Sequence, residues 1–247
     1  MRIVGSHGRR QWKNIELQFW SWEVRSIYAT YSGIDDAQPE IGDRSPYIVG
    51  IGGTPRPDSV SERALRIALA AAAAKGATTS ILTAADLSLP MYAQGQSEQI
   101  PSAGRLVSEF ARADGIILSS PGYHGTVSGL IKNALDYAED LRDADIPYLE
   151  GRAVGCIACA AGWQATTTTL ISLRMVVHAL RGWPTPLGVV INSAQSWDGQ
   201  NTGSGDSPLH RQLEMVGHQV VWFALLRNHV NQLEGSAVMP GRAYSGR

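Results

Sequence analysis

An α/β fold built on a doubly wound parallel sheet is what this 247-residue sequence predicts. Three observations carry the prediction. From Pro46 onward, five short apolar runs alternate with helical stretches, the pattern of successive right-handed βαβ units. The runs are apolar along most of their length, as strands covered on both faces should be. The loops after the first and third runs are rich in glycine, proline and hydroxyl residues. In an open sheet, ligands sit at the carboxyl ends of the strands, where the strand order switches. Two orders stay open at this stage, a dinucleotide-binding one and a flavodoxin-like one.

The elements can be justified in turn. "YIVGIGG" (Tyr47–Gly53) is a short strand ending in glycines, and "SERALRIALAAAAAKG" (Ser61–Gly76) is a helix of strong formers with a Lys-Gly stop. "TTSILT" is a β-branched strand, followed by the loop "AADLSLPMYAQGQSEQIP". "SAGRLVSEFARAD" is a helix and "GIILS" (Gly115–Ser119) the third strand. "GLIKNALDYAEDL" is a helix, "AVGCIAC" a strand, "TTTLISLRMVVHALRG" a helix, "LGVVIN" the fifth strand and "PLHRQLEMVGHQVVWFALLRNHV" the final helix.

Three domain segments are expected: an extension over 1–45, a single sheet domain over 46–235 and a tail over 236–247. The extension holds three of the seven tryptophans and shows no clean period. It reads either as an ordered segment packing its tryptophans on a neighbour or as a partly disordered accessory segment. A net charge of −1 gives no electrostatic case for nucleic acid or an anionic membrane. The longest apolar run, Ile67–Ala74, is too short to span a bilayer, and the N-terminus lacks a signal-peptide core. A cytoplasmic protein is expected. The two cysteines form Cys156-Ile-Ala-Cys159, formally a redox spacing. In a strand, however, positions three apart face opposite sides, so two packed cysteines are expected. The histidines show no metal-ligand spacing, and no metal site is expected.

The loop after strand one, "GGTPRPDSVSER", lacks the P-loop pattern, and Pro55 stands where a dinucleotide fingerprint needs its third glycine. What remains is the hydroxyl series Thr54, Ser59 and Ser61 plus Arg56, just before a helix. A helix N-terminus offers free N–H groups and partial positive charge, so these residues read as a phosphate cradle. Plain capping by Asp58, Ser59 or Ser61 is the alternative, and a serine can do both jobs. One arginine with hydroxyls suits a terminal monophosphate better than a pyrophosphate, which favours FMN over NAD here.

The loop after strand three, "SSPGYHGTVSG", has Gly122 and Gly125 to let the backbone turn and approach a planar ligand. Pro121 fixes its entry. Tyr123 offers a ring, and the amides around His124, Gly125 and Thr126 can face a heterocycle's edge.

With these residues in place, the chain resembles the NADPH-dependent FMN reductase family. The matching pieces are "GIGGTPRPDSVSERAL", "DLSLPMY", "SSPGYHGTVSGLIKNALDYAEDL" and "AAGWQATTTTLISLRMVVHALRGWPTPLGVVINS". The resemblance covers about Tyr47 to Val230. It implies the flavodoxin-like order, a three-layer five-stranded parallel sheet 2-1-3-4-5. It also implies FMN as cofactor and NADPH or NADH as co-substrate. Carried over by position, it puts Thr54, Arg56, Ser59 and Ser61 at the FMN phosphate. Pro121, Gly122, Tyr123, His124, Gly125 and Thr126 fall along the isoalloxazine. Ala161, Gly162 and Trp163 fall towards the other side of the ring or the ribityl chain. Where many members carry glutamate and asparagine on either side of the tyrosine, this chain has Gly122 and His124.

The implied activity is hydride transfer from the nicotinamide to FMN and then to a second acceptor: free flavin, a quinone, an azo compound or similar. Released reduced flavin would make a flavin-dependent monooxygenase a partner. The cofactors carry the chemistry, so no catalytic acid or base is nominated. A helix start near Thr166–Thr168 would stabilise negative charge on the reduced ring. The family implies a homodimer or homotetramer. Two rival readings are an FMN-binding electron carrier of flavodoxin type without NAD(P)H oxidation, and an oligomeric scaffold that has kept the fold.

Overall fold

The computed structural model describes residues 44–236 apart from Pro57, Gln96 and 196–206. The Trp-containing extension, apart from its last two residues, and the tail beyond 236 lie outside the described residues.

The first strand, β1 (Tyr47–Gly52), leads to α1 (Val60–Ala74) and β2 (Thr78–Leu82). A single 3₁₀ turn, Ser97–Gln99, precedes α2 (Pro101–Arg112), which carries a proline at its start, where the missing N–H costs nothing. Then come β3 (Gly115–Tyr123), the short β4 (Thr126–Val127), α3 (Gly129–Asp136) and a 3₁₀ extension, Tyr137–Leu141. The chain continues through β5 (Ala153–Ala160), α4 (Trp163–Ala179), β6 (Trp183–Pro184), β7 (Val189–Asn192) and α5 (Pro208–Ser236).

The sheet runs β2-β1-β3-β5, with β6 and β7 both on the outer side of β5, and all of these pairings are parallel. This is the predicted 2-1-3-4-5 order, with the fifth position filled by two pieces. Trp183 and Pro184 pair with Ala153 and Val154, and Val189–Asn192 pair with Ile157–Ala160. Pro184 and Pro186 account for the break, because proline has no N–H to donate to the ladder. The sequence predicts a strand only over Leu187–Asn192, which becomes β7; the first piece, β6, was not foreseen.

Alternation along the strands divides the core into two layers. Val49, Ile51, Ile116, Leu118, Val154 and Cys156 pack with α2, α3 and α4, whereas Ile48, Ile117, Ile157 and Cys159 pack with α1 and α5. The two cysteines thus lie on opposite faces, both buried and free. Burial pushes each thiol up to about 12, so neither is poised as a thiolate.

Helix α5 lies directly on backbone. A Cβ on Gly115 would sit 2.5 Å from Val220, and one on Gly155 would sit 2.5 Å from Val216. The alanine run of α1 has the same origin, since Ala68 and Ala72 are fully buried beneath Gly217 of α5. At the amino ends of the strands, Arg44 makes a forked pair with Asp114, and the buried Arg152 donates to the carbonyls of Ala111, Ala113 and Tyr148. The carboxyl ends of β1, β3, β5 and β7 are left to form the site.

Candidate active site

The first loop folds into a tight cradle. Gly53 has φ 107° as the chain leaves β1, a conformation that glycine adopts without strain. Thr54 Oγ1 then accepts the Arg56 N–H at 3.2 Å. Ser59 caps α1: its extended backbone presents Oγ to the Glu62 N–H at 3.3 Å. Ser59 and Ser61 share a hydrogen bond between hydroxyls at 3.2 Å, and both are buried. Ser119 Oγ donates to the Ser61 carbonyl at 2.8 Å, which ties this loop to the end of β3. The Arg56 guanidinium is exposed and makes no hydrogen bond or ion pair among the described residues. An uncommitted cation thus stands beside buried hydroxyls at a helix N-terminus, the arrangement an anion requires.

Strand β3 continues four residues past its predicted end, so Pro121, Gly122 and Tyr123 belong to the sheet rather than to a loop. Pro121 is registered with Cys159. His124 (φ 52°) and Gly125 (φ 84°) then form a two-residue hairpin turn with both φ positive, and β4 returns antiparallel with Tyr123 opposite Thr126. The sequence reading took Gly122 as a point of ligand approach. A Cβ there would lie 2.4 Å from Thr169 Oγ1 and 3.3 Å from the Ala165 carbonyl oxygen, so the missing side chain also makes room for α4. Thr169 Oγ1 in turn donates to the Thr126 carbonyl at 3.3 Å and holds the hairpin to the helix.

Helix α4 starts at Trp163, about one turn before the threonine run, with Gly162 as its N-cap. The Thr166 and Thr167 hydroxyls donate to the Trp163 carbonyl and that of Thr168 to the Gln164 carbonyl. The threonines are therefore inside the helix, not at its free N–H groups, and their hydroxyls are spent on its carbonyls.

The loop after β2 is pinned from α3. Asn133 Oδ1 accepts the Tyr92 N–H at 2.9 Å, while Asn133 Nδ2 and the Tyr137 hydroxyl both donate to the Pro90 carbonyl. The "KNALDY" segment thereby holds "LPMY" in place. Burial and the Asp140 carboxylate, which accepts the Tyr92 O–H, push the Tyr92 phenol up to about 12.

The first loop, the end of β3, the end of β5 and Ser193 after β7 enclose one cleft of about 340 Å³. Of the residues singled out from sequence, Thr54, Arg56, Ser59, Ser61, Pro121, Gly122, Tyr123 and Ala161 line it. His124, Gly125, Thr126, Gly162 and Trp163 stand outside its wall. Val60, Cys159, Ala160 and Ser193 also line it and were not foreseen. The last three end β5 or follow β7, so the rule that ligands sit at strand carboxyl ends pointed to them.

A sheet in this order, with one cleft at its carboxyl ends, defines a flavodoxin-like α/β fold. The family model described as NADPH-dependent FMN reductase matches residues 46–196, and the chain belongs to that family. Membership implies FMN as the cofactor and NADPH or NADH as its reductant.

Iron-sulfur flavoprotein MJ1083 of Methanocaldococcus jannaschii is 32% identical over 141 residues, 54% of this chain and 73% of that protein. The FMN-dependent NADPH-azoreductase of Staphylococcus aureus is 31% identical over 114 residues, 45% of this chain and 56% of its own length. Among solved structures, the apo NADH:FMN oxidoreductase EMOB superposes with a TM-score of 0.55 at 20% identity, covering 74% of this chain and 90% of that one.

Proposed function

We propose that the chain is an NAD(P)H-dependent FMN reductase, passing electrons to free flavin, a quinone, an azo compound or a similar small acceptor. The observation that carries this is the convergence of uncommitted Arg56, buried Ser59 and Ser61, and the Pro121–Tyr123 strand end on a single cleft. FMN, when bound, supplies the redox chemistry, taking hydride from the nicotinamide and passing electrons on. Arg56, Thr54, Ser59 and Ser61 would hold its phosphate through charge-assisted hydrogen bonds and the start of α1. Pro121, Gly122 and Tyr123 would flank the ring from the cleft wall, and the His124–Thr126 amides, in the turn just outside that wall, would face its polar edge. Ala161, Gly162 and Trp163 would border the opposite side of the ring or the ribityl chain. No side chain is assigned as acid or base. The protein's part is to hold two planar reactants in register and to exclude water from between them.

The deciding experiment is anaerobic: reconstitute with FMN, add NADPH and follow the flavin's visible absorbance. Bleaching much faster than that of free FMN is expected. Bound flavin that stays oxidised would sink the reductase reading and favour a flavodoxin-type carrier with another donor.

We also propose a homo-oligomer, a dimer or a tetramer, that pairs through the outer face of α4. Ile171 and Met175 are exposed there. The Thr167, Thr168 and Ser172 hydroxyls are donated to helix carbonyls, and the Arg174 guanidinium turns to the Thr185 and Pro186 carbonyls. A face with so little charge can meet its own copy across a two-fold axis without opposing like charges. Ile171→Asp should dissociate the oligomer in sedimentation analysis, and an unchanged mass would remove this face. Among the described residues no helix is long and apolar enough to cross a membrane, and a cytoplasmic setting is proposed. The domain division is likewise a proposal, with FMN binding expected to survive removal of residues 1–45.

A further inference from the structure

Trp163 opens α4 with its side chain half exposed, at 52%, yet its ring is tethered. The indole Nε1–H donates to Gln195 Oε1 at 3.1 Å. The bond joins two segments that flank the cleft. Ala161, two residues before Trp163, lines it, as does Ser193, two residues before Gln195.

Each segment is braced at its base. The Ser193 N–H donates to the Ala160 carbonyl at 2.8 Å and the Gln195 N–H to the Asn192 carbonyl at 3.1 Å. The Ala194 N–H donates to Asn192 Oδ1 at 3.1 Å. On the helix side, the Thr166 and Thr167 hydroxyls hold the Trp163 carbonyl. An indole has one donor, and committing it to a braced partner restricts the plane of the ring. The polar handle is satisfied while about half of the side chain stays open to solvent. Tryptophan with this division between polar edge and apolar face suits a contact with another aromatic surface.

The neighbouring rim carries a second ring. Tyr123, 54% exposed, lines the cleft at the end of β3. The residue before it, Gly122, lies against the Ala165 carbonyl in the first turn of α4.

We propose that Trp163, strapped by Gln195, is a fixed stacking face at the cleft rim for the second planar, electron-poor ring of the reaction, the nicotinamide or the aromatic acceptor. Gln195 acts as a positioning residue. The assignment rests on the flavin reductase reading. It gives Trp163 a role towards the second reactant in addition to its place beside the flavin.

The test uses full-length protein reconstituted with FMN, with Trp163→Leu (no ring), Trp163→Phe (ring without strap) and Gln195→Leu (strap removed, tryptophan kept). In Trp163→Leu, a rise of about two- to tenfold is expected in the KM for NADPH or for menadione, the size of one aromatic contact. The other two variants should show smaller rises. Which KM moves identifies the ring that stacks.

Two readouts are independent of turnover. The Trp163 indole N–H, identified as the resonance missing from Trp163→Phe, should exchange with solvent at least about tenfold faster in Gln195→Leu, as a released hydrogen bond does. The Kd of NADP⁺, read from perturbation of the bound flavin spectrum, should rise in Trp163→Leu if the nicotinamide is the stacked ring. Unchanged values of both KM and of the NADP⁺ Kd in a folded, flavin-loaded Trp163→Leu would overturn the assignment. So would unchanged indole exchange in Gln195→Leu. Wild-type protein that binds FMN but oxidises no NADPH would overturn the underlying reductase reading, and this assignment with it.

Discussion

Gly217 of α5 lies so close to Ala68 of α1 that a Cβ on Gly217 would stand 2.2 Å from the Ala68 carbonyl oxygen. The atom it would meet is backbone, so no rotamer change relieves the clash. In the middle of a helix, alanine should gain up to about 1 kcal/mol over glycine. Here the order should invert, with Gly217→Ala destabilising by about 1–3 kcal/mol as the two helices are forced apart. Urea unfolding monitored by circular dichroism checks this, and a variant as stable as wild type would show that the helices have room to part.

Arg56 is the opposite case, a side chain without a partner among the described residues. Arg56→Ala should leave the stability of the apo protein unchanged within about 0.5 kcal/mol, as surface substitutions do. It should weaken FMN binding by about 1–3 kcal/mol through loss of a charge-assisted contact. A fluorescence titration with FMN, and with riboflavin as the phosphate-free control, separates the two. The loss should appear for FMN and not for riboflavin. Equal affinity of wild type and variant for FMN would remove Arg56 from the phosphate site.

Asn133 links α3 to the loop after β2 through Tyr92 and Pro90. Asn133→Ala leaves the Tyr92 N–H without its acceptor and should cost about 1–3 kcal/mol. The same change should raise hydrogen exchange at the Tyr92 amide while the amides of β1 stay protected. Uniform loss of protection across the sheet would mean that Asn133 supports the whole fold rather than this loop.

The buried thiols and one phenol set the alkaline limit. Cys156 and Cys159 are raised from 9.0 to about 12 and Tyr92 from 10.0 to about 12, chiefly by burial. All three hold their protons more tightly folded than unfolded. Their contribution is complete below about pH 9 and declines as pH rises from there towards 12, because the unfolded chain releases its protons first. Chemical denaturation midpoints should therefore fall across that range. Cys156→Ala/Cys159→Ala should flatten the slope. The same burial predicts that neither thiol of the native protein reacts rapidly with a disulfide reagent at pH 8 and that both do so in urea.

Much of the cleft lining was legible because its signals are local. A cap among Asp58, Ser59 and Ser61 is legible from the helical run that follows, and the structure chooses Ser59; Thr54 and Arg56 are legible from their place in the loop after β1. Tyr123 was found for the right region but in the wrong element, since a Pro-Gly pair reads as loop and the β3–β4 hairpin is visible only once Thr126 pairs with Tyr123. The position of the α4 start was missed for a related reason. Threonine favours neither helix interior nor helix start strongly, and the choice fell to the packing of Thr166 and Thr169, both fully buried.

Residue type and spacing by themselves determined the alternation of strands and helices and the parallel sheet, and the family resemblance supplied the strand order. The alternation and the parallel pairing depend on backbone propensity and burial pattern within a few residues. Tertiary structure alone decided what fills the space beside Gly122, that the end of β5 and Ser193 complete the cleft, and the tie between Trp163 and Gln195. The Thr169–Thr126 and Trp163–Gln195 bonds join residues 43 and 32 positions apart. Contacts across such separations leave no local pattern, because they depend on how the sheet brings its carboxyl ends together.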